Sequence, residues 1–137
     1  MAENPRLRAV ALTAMVGLVA TGCTDERQSG PGEFGGSVEA PGGAPGASLL
    51  LVAGQGVRDV VGEGGTRSWT APSPGPEAAL ELRVLLLDPE PSGALTFRVE
   101  VDDVSLGPPS VTVLEAADRD NALRPSPSDV QVRLTLR

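Results

Sequence analysis

The sequence predicts an all-β fold, a small β-sandwich of about seven strands, and three observations carry that reading. Apolar and polar residues alternate with period two in the clearest stretches. Those stretches, and four weaker ones, are short and separated by turn clusters rich in Gly and Pro. The part of the 137-residue chain from Ala47 to Arg137 has room for one domain and one core, drawn almost wholly from Leu and Val.

In chain order, Ser48–Ala53, Val57–Val61 and Thr66–Ala71 are the first strand candidates, divided by Gly54-Gln55-Gly56 and Gly62–Gly65. Leu80, Leu82, Val84 and Leu86 then alternate with Glu81 and Arg83, until Leu85 and Leu87 break the polar face. Leu95, Phe97, Val99 and Val101 alternate with Thr96, Arg98, Glu100 and Asp102. The apolar positions shift by one at Val104 and Leu106, so either a β-bulge near Asp102-Asp103 or a strand break must absorb the slip. Ser110–Glu115 is the next candidate, with a short helix over Val113–Leu123 as the competing reading. Val130, Val132, Leu134 and Leu136 alternate with Gln131, Arg133, Thr135 and Arg137 and close the set.

Seven short strands in one domain resemble the immunoglobulin-like or fibronectin-like sandwich in architecture alone. The Cys…Trp…Cys spacing of true immunoglobulin domains is absent, and there is no tyrosine for a tyrosine corner.

The residues before the domain read as an address and a tether. Arg6 and Arg8 precede an uncharged apolar run, Ala9–Ala20, followed by small residues and then Cys23. This is the layout of a secretory signal peptide. As a helix the run would be about 18 Å long, short of the ~30 Å hydrocarbon core of a bilayer. Ala20-Thr21-Gly22-Cys23 resembles the lipobox of bacterial lipoproteins, with Ala20 where that family most often has leucine. The resemblance covers the first 23 residues. It implies cleavage before Cys23, diacylglyceryl attachment to its thiol, and a place on the outer face of the cell membrane or outer membrane. Ala20-Thr21-Gly22 also fits an ordinary signal-peptidase site, which would leave Cys23 unmodified. Residues 23–46 then form the attachment cysteine and a tether. Thr24–Gly46 carries seven glycines and three prolines, with only Phe34 and Val38 large and apolar, and is expected to be disordered.

Composition excludes several chemistries. The chain has no histidine, lysine, tyrosine or isoleucine, and one cysteine. A His-based acid–base or metal site, a lysine Schiff base and an intramolecular disulfide are therefore impossible. A serine nucleophile would lack a His or Lys base, and no phosphate-cradling loop is present. No enzyme activity and no cofactor are expected. The net charge of −7 speaks against nucleic acid, which needs clustered basic residues.

Two constellations remain. Asp102, Asp118, Asp120, Asn121 and Asp129 are candidate cation ligands, since calcium takes six to eight oxygens that loop Asp and Asn residues supply; the alternative is an ordinary solvated loop. Trp69 is a candidate stacking platform for a sugar ring, against the plainer reading of a packing residue. The expected function is a membrane-anchored envelope lipoprotein whose sandwich is a protein-interaction or structural module working through an exposed sheet face or edge such as the Asp129–Arg137 strand; a carbohydrate- or calcium-binding module is the alternative.

Overall fold

The computed structural model describes residues 28–75, 81–90 and 94–137. Two four-stranded antiparallel sheets form a β-sandwich. The strands are β1 (Gly32–Glu39), β2 (Ala47–Ala53), β3 (Val57–Glu63), β4 (Arg67–Pro72), β5 (Glu81–Leu87), β6 (Leu95–Val101), β7 (Ser110–Ala117) and β8 (Gln131–Leu136). The first sheet has the order β3-β6-β1-β8 and the second β4-β5-β2-β7.

All seven expected strands are present, and an eighth corrects the reading of the tether. β1 lies inside the segment expected to be disordered and sits at the centre of the first sheet, between β6 and β8. The sandwich therefore begins before Ala47. Order reaches back to Gly30, whose N–H donates to Asp103 Oδ1 at 3.0 Å and whose carbonyl accepts from Val104 N at 2.9 Å. The glycines of β1 are strand residues with defined tasks. Gly36 faces inward opposite Phe97, and a Cβ there would overlap the Phe97 ring. Gly35 faces outward, and a Cβ there would overlap the Arg137 guanidinium that lies across the strand. On either side of this pair, Phe34 and Val38 enter the core.

The core is filled by alternate residues of both sheets, as a half-buried strand requires. Phe97, Leu95 and Val99 of β6 meet Leu50, Val52, Val84 and Leu86 of the second sheet, and all seven are fully buried. The slip after Val101 is resolved by a strand break. β6 ends there, and a 3-10 turn at Val104–Leu106 follows, capped by Asp103, whose side chain accepts from Ser105 N at 2.9 Å. A hydrogen bond from the Ser105 side chain, followed by those from Gly30 N and Ser105 N, holds the Asp103 carboxyl below its ordinary range. Bulges occur elsewhere, one where β2 meets β7 and one at Arg58 in β3. Val113–Leu123 is not a helix: β7 runs to Ala117, a turn follows, and Leu123 bridges back to Ala117.

Candidate functional site

The two sides of the sandwich differ in how they are closed. On one side the chain turns directly from β3 to β4. Ser68 Oγ accepts from Gly62 N at 2.8 Å, and Thr70 Oγ1 lies 3.4 Å from the Asp59 carboxylate. On the other side β7 pairs only with β2 and β8 only with β1; like β3 and β4, each has one edge without a ladder, but here, among the described residues, no direct turn or side-chain hydrogen bond joins the two strands. Between them lies a groove of about 410 Å³, lined by Val111, Val113, Val130 and Val132 with Pro127 and Ser128 at its end. Ser128 belongs to a 3-10 turn whose N-cap is Ser126.

The two outer faces differ as well. On the first sheet, outward positions are charged and paired. Arg137 makes a forked bond to Glu63, at 2.8 and 2.7 Å, passing over Gly35. Arg98 lies 3.2 Å from Glu100 and 3.6 Å from both Glu33 and Glu63. Arg133 reaches Glu39 at 3.4 Å. Arg58 pairs with Asp102 at the lower end of this sheet. The Arg137 hydrogen bonds hold the Glu63 carboxyl below its ordinary range, against a partial desolvation that opposes them.

On the second sheet, the outward row that crosses the middle reads Trp69, Leu85, Leu49 and Glu115. The row above it reads Arg67, Leu87, Ala47 and Ala117, and the row below Ala71, Arg83, Leu51 and Thr112. Trp69 is 52% exposed, Leu85 42% and Leu123 73%. Trp69 is therefore not a core residue, because β4 is an edge strand whose odd positions point outward. The exposed ring has the accessibility that a stacking platform needs. Its neighbours in the ladder, however, are leucines, and the shallow depression beside them is almost wholly apolar. A sugar needs hydrogen-bonding groups around the aromatic ring.

The proposed cation ligands do not come together. Asp102 follows β6 near Gly56, at the end of β2 where Ala53 lies, and pairs with Arg58. Asp118 lies at the other end of β2, some 20 Å away at strand rise, beside Gly46. Its carboxylate accepts from the backbone N–H groups of Asp120 and Ala122 at 3.0 and 2.9 Å, so it builds the turn. Asn121 serves the same turn through its backbone, with φ 62°, a left-handed conformation that Asn tolerates. Asp129 lies 3.8 Å from Arg124. Among the described residues no three acidic or cysteine side chains are grouped to share a metal ion.

Sequence reading missed the first-sheet ion-pair network, because its members are far apart in the chain and β1 was not recognised as a strand. The apolar outer face had one visible signal, the break in alternation at Leu85 and Leu87. Cys23 and residues 1–22 lie outside the described residues. No described helix is long and apolar enough to cross a membrane. Comparison with protein-family models, with curated proteins and with solved structures finds no match for this chain.

Proposed function

We propose that the chain is an envelope lipoprotein, anchored through acylated Cys23 on the outer face of a membrane. Its sandwich works as a non-enzymatic module that receives an extended segment of another envelope protein. The observation that carries the module reading is the valine-lined groove between the edge strands β7 and β8. β7 and β8 each present an unpaired edge beside a valine-lined groove, and free edges accept an added strand. The anchor reading is supported by the Ala20-Thr21-Gly22-Cys23 signal and the single cysteine. A diacylglyceryl group with a further acyl chain would hold the protein to lipid, since stable attachment takes more than one chain.

The anchor is tested by Cys23→Ser followed by cell fractionation. Loss of the chain from the membrane fraction is expected; unchanged retention would overturn the anchor. The module is tested with a photo-crosslinking residue at Ser128, beside the groove. It is expected to join the chain to one discrete envelope protein, while the same probe at Thr70, on the closed side, gives no such product. Equal products at both positions would count against the groove.

A further inference from the structure

We propose that the outer face of the second sheet rests on the bilayer to which the chain is anchored; this rests on the anchor reading above. Three observations point there. The first is chemical. Trp69, Leu85, Leu49 and Leu87 form a continuous apolar band, with Leu123 beside it. Arg67 and Arg83 flank the band on the rows above and below. Neither arginine is ion-paired among the described residues, whereas Arg98, Arg133 and Arg137 on the opposite face all are. Tryptophan and arginine around an apolar centre suit the headgroup region: the indole sits at the water–lipid boundary, and guanidinium groups meet phosphates while their stems lie along apolar surface. Glu115, on the far strand, is the one carboxylate in these three rows.

The second observation is shape. The depression in this face, lined by Leu49, Leu85, Glu115 and Leu123, has a volume of only about 100 Å³. Protein partners concentrate their binding in pockets that seat an anchor side chain. A flat apolar face of this kind suits a surface without knobs.

The third is reach. Gly30 is tied to the domain through Asp103 and Val104, and seven residue steps separate it from Cys23. Fully extended they span at most about 25 Å. The tether thus holds the sandwich at the headgroups. A contact too weak to act from solution then becomes intramolecular, at an effective concentration in the millimolar range.

The test is a photo-crosslinking residue in place of Leu85, with the same probe in place of Thr135 on the first-sheet face, in the full chain in its native envelope. Position 85 is half exposed, so the core is untouched. Phospholipid adducts are expected at 85 and lost at 135. A membrane-retained chain that crosslinks at 85 only to a second copy or to another protein would overturn this inference and leave the anchor standing. Equal lipid adducts at both positions would also overturn it. A chain found in the soluble fraction without adducts would overturn both.

Discussion

The two outer faces of this sandwich are built on the same strand geometry and carry opposite chemistry. On the first sheet each outward arginine meets carboxylates on neighbouring strands, and the Arg137–Glu63 fork ties β8 to β3 across the sheet. On the second sheet most outward positions are leucine or alanine, with one tryptophan, Thr112, Glu115 and two arginines that have no carboxylate partner among the described residues. A face of paired charges is satisfied in water. An apolar face of several contiguous side chains is expected to be covered in use. Both faces lie over one core, so the core does not account for their difference.

The largest expected effect comes from the strand that carries the charged face. Gly36→Val would drive a side chain into the Phe97 ring, and the sandwich is expected not to form, as circular dichroism would show. Phe34→Ala, one residue removed from the charged Glu33, should cost about 3–5 kcal/mol in denaturant unfolding. A cost near zero would mean that β1 is dispensable and the charged face is not part of the domain.

Arg98→Ala comes next. It removes the cation shared by Glu33, Glu63 and Glu100, leaving Glu33 and Glu63 with Arg137 alone and Glu100 without its arginine. The melting temperature should fall by a few degrees at low salt and by less at high salt, where exposed charges are screened. Acid probes the same network. The folded-state pKa of Glu63 is lowered, chiefly by hydrogen bonding to Arg137. Its contribution is therefore present above the unfolded value and is lost as pH falls below about 4.5. Melting curves should drop through that range, and Glu63→Gln should flatten part of the drop. The smallest effect on stability is expected on the apolar face. Leu85→Ser should change unfolding by no more than about 0.5 kcal/mol, while reducing association of the anchored chain's sandwich with lipid.

Much of this fold was legible because alternation fixes which way a side chain points. Leu95 to Val101 declare their buried face residue by residue, and Val130, Val132 and Leu134 do so in part, while Leu136 is exposed. β1 was hidden because glycine has no side chain to alternate. Gly35 and Gly36 look like tether, yet one makes room for Arg137 and the other for Phe97, residues more than sixty positions away. The site was less legible. Trp69 was expected to pack because tryptophan is large and apolar; whether a strand lies at a sheet's edge is a property of topology that local pattern does not carry. The aspartates were grouped by their nearness in sequence, and the sandwich sends Asp102 and Asp118 to opposite ends of β2.

Trp69 is the sole tryptophan of a chain without tyrosine, so its emission reports on the apolar face alone. The chain purified from membranes would be reconstituted into phosphatidylethanolamine–phosphatidylglycerol vesicles, with and without bromine on the acyl chains. If the second sheet rests on the bilayer, brominated lipid quenches Trp69. Emission that is unchanged by bromine, in a chain that sediments with the vesicles, would contradict it.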